Sequence, residues 1–354
     1  MTDPSALSPT SSAPSASSAT PGLPDPGSPP ATGVSRATGV PRATGVPQAA
    51  GDVLSALPTE RSDPRYDHID RLPTEQVARL MNAADAAVPV AVGEAVPAIS
   101  AAIDAIVDRM RSGGRLFYVG AGTSGRLAVL DASECPPTFG TDPGLVQGVI
   151  AGGPPALTRS VEGAEDDHAA GAAVLAERGV GALDTVVGVS ASGRAPFVLG
   201  ALAEASRRGA LTAAISCNPG TPLSEAALHP IEVIVGPEVV TGSTRLKAGT
   251  AQKLVLNMIS TITMVRLGRT HGNTMIEVSA MNSKLADRAA RMVGDLTGAA
   301  SAVARATLEA TGWHVKTAVL MIEHGLDAAG ARLLLERHGD RLEAAMEAAG
   351  RDGA

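Results

Sequence analysis

The sequence predicts an α/β fold: a three-layer αβα sandwich around a parallel sheet, followed by a small C-terminal helical unit. Short, continuously apolar runs such as Leu116-Phe117-Tyr118-Val119 alternate with longer stretches of helical spacing. Strands buried on both faces read this way, because helices cover both sides of a parallel sheet. Two of the apolar runs pass directly into turns rich in glycine and hydroxyl groups, at 120–125 and 190–193. From about residue 275 the chain becomes rich in Ala, Leu and Arg, with helical spacing and no strand pattern.

The chain has 354 residues, 44% of them apolar, enough for one large domain and a smaller unit. Residues 1–50 stand apart. They hold ten of the 25 prolines, a near-hexad repeat (ATGVSR, ATGVPR, ATGVPQ) and almost nothing large and apolar to bury, so they are expected to be a disordered tail. The tail lacks the basic start and apolar centre of a signal peptide. The expected division is 1–50 tail, 51–298 main α/β domain and 299–354 helical unit.

The elements follow in order. A short helix is expected from Thr74 to Asn82, with Thr74 as N-cap. A longer helical segment over 88–111 has Val92, Val96, Ile99, Ile103, Ile106 and Met110 at helical spacing, and Pro97 kinks or splits it. Leu116 opens the first strand, and a helix-like stretch runs from Leu127 to Ser133. Strands are expected at 145–150, 185–189, 212–215 and 231–235, with helices at 165–178 and 196–208. A long helix covers about 244–267. Lys253 and Arg266 interrupt its apolar run, which makes it a core helix and not a membrane span.

The net charge of −7 argues against nonspecific nucleic-acid binding. It leaves room for a small anionic ligand held by backbone N–H groups. Both glycine-rich turns fall at strand carboxyl ends, where ligands bind in open α/β sheets. Gly122, Thr123 and Ser124 in the first, and Ser190, Ser192 and Gly193 in the second, offer close backbone approach and hydroxyl donors to a phosphate. Gly120, Gly122 and Gly125 also fit a dinucleotide fingerprint. The acidic residue such a site needs, about 20 positions on, would be Asp142, which precedes the next strand instead of following it. No Walker run occurs. Lysine is scarce, and Lys247 at the start of the long helix is the candidate cation for a phosphate. Cys135 and Cys217 have no CxxC spacing, which fits a reducing cytoplasmic setting and no zinc knuckle.

Two acidic groups lie near these turns. Glu134 sits in Asp131-Ala132-Ser133-Glu134-Cys135-Pro136-Pro137, where the prolines are expected to stop the helix. Glu165 sits in Val161-Glu162-Gly163-Ala164-Glu165-Asp166-Asp167, between a strand and its helix, where acidic residues also serve a helix N-terminus. Two glutamates could thus meet near one bound phosphate. Glu165 with His168 supplies too few ligands for a metal.

From about Thr59 onward the chain resembles the N-acetylmuramic acid 6-phosphate etherases, of the sugar isomerase (SIS) fold group. Six runs carry the resemblance in matching order and spacing. They are the turn at 120–126, the Asp131 to Pro137 run, Val161 to Asp166, Ser190 to Arg194, Ser216-Cys217-Asn218-Pro219-Gly220, and the stretch from Glu238 to Lys253. The resemblance implies a cytoplasmic homodimer that takes a sugar phosphate, with no metal, nicotinamide, nucleic acid or membrane partner. It implies cleavage of the lactyl ether to N-acetylglucosamine 6-phosphate and D-lactate, in amino-sugar recycling from the cell wall. It also implies Glu134 as proton donor and Glu165 as its companion. In such a lyase a base removes the C2 proton beside the open-chain aldehyde, lactate leaves with a proton, and water adds at C3. The alternative within the same fold group is a regulatory protein that holds a sugar phosphate without chemistry.

Overall fold

The computed structural model describes residues 55–277 and 283–352. The tail expected over 1–50 lies outside them. The chain enters through short 3-10 turns at Pro58–Glu60, Pro64–Tyr66 and Ile69–Arg71, then forms α1 (Thr74–Asp85), α2 (Val88–Glu94) and α3 (Val96–Arg111). The expected segment over 88–111 is divided at Ala95, just before Pro97. A proline has no N–H to give and crowds the preceding turn, so a new helix begins beside it. Thr74 starts α1 without capping it.

Next come β1 (Leu116–Gly120), α4 (Gly122–Phe139) and β2 (Val146–Ile150). Two 3-10 turns, Pro154–Leu157 and Ala164–Asp166, precede α5 (His168–Glu177), β3 (Thr185–Val189), α6 (Pro196–Arg207) and β4 (Leu211–Ser216). Then follow α7 (Pro222–Ala226), β5 (His229–Glu232) and the 20-residue α8 (Lys247–Arg266). A small antiparallel pair, β6 (Thr270–His271) and β7 (Thr274–Met275), leads to α9 (Ser283–Thr297), α10 (Ser301–Thr311), α11 (Val315–His324), α12 (Ala328–Arg337) and α13 (Leu342–Asp352).

The five-stranded sheet is parallel throughout, in the order β2-β1-β3-β4-β5. Alternate residues of a strand face opposite sides. Leu116 and Tyr118 join Ile99, Ile106, Val187, Ile215 and Leu256 beneath α2, α3, α4 and α8. Phe117 and Val119 join Leu175, Val186, Val198 and Leu202 beneath α5 and α6. This is the three-layer sandwich that the apolar strand runs predict. From β1 the order steps one way to β2 and the other way to β3, so the carboxyl ends of β1 and β3 flank the crevice where such sheets bind ligands.

Several boundaries differ from the sequence reading, among them a helix that starts at His168 and not at 165, and three others are instructive. The helix carrying Glu134 does not stop before Pro136: α4 continues through Pro136 and Pro137 to Phe139 and closes on Gly140, whose φ is 61°. Both prolines sit in the last turns, where little of the helix remains to be disrupted, and Gly140 N–H donates to Pro136 O. The long helix begins at Lys247 and not near 244, because the preceding residues form turns, with Ser243 N–H donating to Val240 O and Leu246 N–H to Ser243 O. The fifth strand lies at His229–Glu232, slightly earlier than 231–235.

The C-terminal helices share their own apolar cluster, including Leu308, Val319, Leu320 and Leu335. Ile276 and the α9 residues Ala289 and Val293 belong to it, so it draws from both sides of a division at 298. Lys316 is fully buried there. Its ammonium pairs with Glu277 and donates to Asp340 O at 2.6 Å and Asp340 Oδ2 at 2.8 Å. Among the described residues, no single helix is long and apolar enough to cross a membrane.

Candidate functional site

A cavity of about 230 Å³ opens at the carboxyl ends of β1 and β3. The first turn supplies Ala121, Gly122, Thr123 and Ser124 to its wall, and the second supplies Ser190, Ala191 and Ser192. Glycines make the first turn tight: a Cβ on Gly125 would come within 2.7 Å of Gly120 O. Gly122 takes φ +52°, in the left-handed region that suits glycine, and α4 starts there. The first backbone N–H groups of α4 have no partner within the helix and face the crevice with its positive end, the usual seat for an anion.

The second turn works differently. Ser190 N–H donates to Ile215 O and Gly193 N–H to Ser190 O, while Arg194 N–H donates to Ser192 Oγ at 3.2 Å. Helix α6 begins only at Pro196, which has no N–H. This turn therefore contributes hydroxyl groups, Ser190 and Ser192, whose Oγ atoms lie 3.3 Å apart. Gly193 is behind the wall and not in it. Its φ is +66°, and a Cβ there would meet Thr221 Oγ1 at 2.3 Å, so it shapes the turn.

Glu165 lines the same cavity. It sits on the 3-10 turn Ala164–Asp166, entered through Gly163 at φ 71° and followed by Asp167, whose side chain caps α5 at Ala170 N–H. Burial, with a smaller contribution from the Asp166 charge, pushes the Glu165 carboxyl above the ordinary glutamate value. The carboxylate therefore takes up a proton more readily than an ordinary glutamate would.

The structure does not bring all the expected residues to this cavity. Glu134 is exposed on α4 and is not part of the wall. Lys247 is 5% exposed and turned away, its ammonium donating to Val235 O at 2.7 Å, and burial pushes it below the ordinary lysine value. The carboxylate of Glu238 caps α8 by accepting from Lys247 N–H and Ala248 N–H at 3.0 and 2.9 Å.

Three site residues were not read from the sequence. Glu60 and Thr244 line the cavity. Behind it, Ser124 Oγ lies 2.9 Å from Oε1 of the buried Gln252 on α8. Glu60 and Thr244 belong to irregular segments without periodicity, and Gln252 reads as one polar residue of a mixed helix. Among the described residues, no group of three or more His, Cys, Asp or Glu could hold a metal ion.

Comparison with known proteins adds a second line. Residues 98–206 match the model described as the glucokinase regulatory protein N-terminal SIS domain, and residues 167–262 match the SIS domain. The chain is 57% identical over 298 residues to the N-acetylmuramic acid 6-phosphate etherase of Streptomyces avermitilis, covering 84% of this chain and 96% of that one. It is 52% identical over 294 residues to the protein of that name from an Enterobacter species, covering 83% and 99%. Among solved structures it is similar to a phosphoheptose isomerase from Francisella tularensis, at 19% identity and a TM-score of 0.44 over 55% of this chain.

Proposed function

The chain belongs to the N-acetylmuramic acid 6-phosphate etherase family, and from that membership we propose that it cleaves the D-lactyl ether of N-acetylmuramic acid 6-phosphate as a carbon–oxygen lyase. The observation that carries the chemistry is one cavity holding two hydroxyl-bearing turns, a helix N-terminus and Glu165. The phosphate binds across Thr123, Ser124, Ser190 and Ser192. Glu165 removes the C2 proton of the open-chain aldehyde, and the C3–O bond breaks. Lactate leaves with a proton from a second acid, and water then adds at C3 while the proton returns to C2. The sum is substrate plus water giving N-acetylglucosamine 6-phosphate and D-lactate. Burial of Glu165 supports the base role, since a base near neutrality needs more than ordinary carboxylate basicity.

The second acid in this reading is Glu134, delivered by a second copy of the chain in a homodimer. Two facts support a docking face on α4. Glu134 is exposed there, and Leu130, one helical turn before it, is 52% exposed. The enzyme is cytoplasmic and acts in amino-sugar recycling. Its catalytic unit is the sheet sandwich, and the helical unit begins near Ile276, where the separate apolar cluster starts.

D-lactate release from N-acetylmuramic acid 6-phosphate tests the reading. Release by the wild type and its loss in Glu165→Gln support it. Retained sugar-phosphate binding without release by the wild type would favour the binding-only regulatory protein.

A further inference from the structure

Glu60 has no place in the mechanism above, yet it lines the same cavity as Glu165 and both turns. Its position is held from both sides of the backbone. Thr59 is fully buried, as is Asn218, two residues beyond the end of β4. Thr59 N–H donates to Asn218 Oδ1 at 3.2 Å, and Asn218 Nδ2 donates back to Thr59 Oγ1 at 2.9 Å. The same amide nitrogen donates to Ala191 O, at 2.9 Å, between Ser190 and Ser192. One side chain thus ties the entering segment and the second turn to each other. Leu57, which accepts from Glu60 N–H, is itself buried.

The side chain is uncommitted. The Glu60 carboxylate makes no hydrogen bond or ion pair to any described residue. Its Oε2 lies beside Gly242, where a Cβ would approach it to 3.2 Å. A segment anchored by reciprocal buried hydrogen bonds that ends in an unpartnered carboxylate, inside a cavity, is arranged for a ligand and not for the fold.

We infer that Glu60 is a substrate-contacting specificity residue that accepts hydrogen bonds from the hydroxyl or amide N–H donors of the bound sugar. This rests on the proposed substrate. An ionised carboxylate only accepts hydrogen bonds. The substrate carries two anionic groups, the phosphate and the lactyl carboxylate, and like charges repel, so neither can be the partner of Glu60. What remains is the donor edge of the sugar: its hydroxyl groups and the acetamido N–H. Glu60 then reads the sugar while the two turns read the phosphate, and the Thr59–Asn218 contact is the positioning device.

The test uses the full chain and two probes, inorganic phosphate and N-acetylglucosamine 6-phosphate. The latter keeps the phosphate and the donor edge and lacks the lactyl group. For Glu60→Ala, calorimetry should show binding of the sugar phosphate weakened by about ten- to a hundredfold, the loss expected when a charged hydrogen-bond acceptor is removed. Phosphate affinity and Tm should stay at wild-type values, and KM for the ether substrate should rise more than kcat falls. Equal weakening of both probes, or a matching fall in Tm, would make Glu60 a structural residue and overturn the inference. So would unchanged sugar-phosphate binding. D-lactate release by the wild type is measured alongside. Its absence, with selective sugar-phosphate loss in Glu60→Ala, would remove the etherase reading and leave the sugar contact standing.

Discussion

Ser124 at the start of α4 and Gln252 on α8 meet in the wall behind the cavity, with Ser124 Oγ 2.9 Å from Gln252 Oε1. In this arrangement the serine donates its only proton to the amide oxygen, and Gln252 Nε2 is buried with no partner among the described residues. Turning the amide end for end frees the serine proton and leaves Oε1, instead of Nε2, in the unpartnered position. The N–H then donates to Ser124 Oγ, and the hydroxyl proton is released toward a bound phosphate. Gln252 thus sets which way the Ser124 hydroxyl points.

Replacing Gln252 by Leu removes that control. Steady-state kinetics should show KM for N-acetylmuramic acid 6-phosphate rising about tenfold, the equivalent of one hydrogen bond to a charged group, with kcat little changed. An unchanged KM would mean that Ser124 is oriented without Gln252.

As the proposed base, Glu165 should govern the acid side of the pH profile. Its carboxyl is raised by burial and by Asp166, and a base works only when ionised. Activity is therefore present above its raised value and lost as pH falls through it. The acid limb of kcat/KM should lie above the ordinary glutamate value, and Glu165→Gln should lower kcat by roughly a thousandfold while still binding phosphate. Mutating Asp166 to Asn removes a like charge and should move the limb to lower pH.

If Glu134 acts in the cavity of a second copy, two dead variants complement each other. Glu134→Gln and Glu165→Gln, each inactive alone, should regain about a quarter of wild-type activity when unfolded and refolded together, since half the dimers are mixed and each has one intact site. No recovery, in a mixture shown to contain mixed dimers, would confine Glu134 to its own protomer.

The opposite end of the sheet controls stability. Asp184, 5% exposed at the start of β3, accepts from Arg115 N–H and Nη2, both at 2.8 Å, and from Gly181 N–H at 2.9 Å. Burial pushes its carboxyl up, but the bonds from Arg115 and Gly181 outweigh this and hold it below the ordinary aspartate value. The folded form binds that proton less readily than the unfolded chain. Its contribution is therefore present above the ordinary aspartate value and lost as pH falls through the depressed one. Asp184→Asn should cost about 2–3 kcal/mol in urea unfolding at neutral pH and less in acid.

Much of this was legible in the chain itself. The parallel sheet follows from apolar runs such as Leu116 to Val119, and both turns follow from their glycines and serines. Local patterns report strands and turns because the period and the backbone demands are local. What was not legible depends on distant partners. Lys247 reads as a cation near a phosphate, but its direction is set by Val235 O, twelve residues away. Helix α4 reads as ending at its prolines, yet Gly140 offers a better end. Glu60 ends a short turn with no periodicity, and only Asn218, 159 residues after its neighbour Thr59, shows why it faces the cavity.

That separation has a consequence during synthesis. A ribosome delivers the segment around Thr59 long before β4 and Asn218 emerge, so the first residues of the described fold are among the last to be seated. Closing so long a loop adds only a logarithmic entropy cost. The delay matters more than the cost: Glu60 reaches the cavity only when the segment around Thr59 returns, after the strand that receives it has been made.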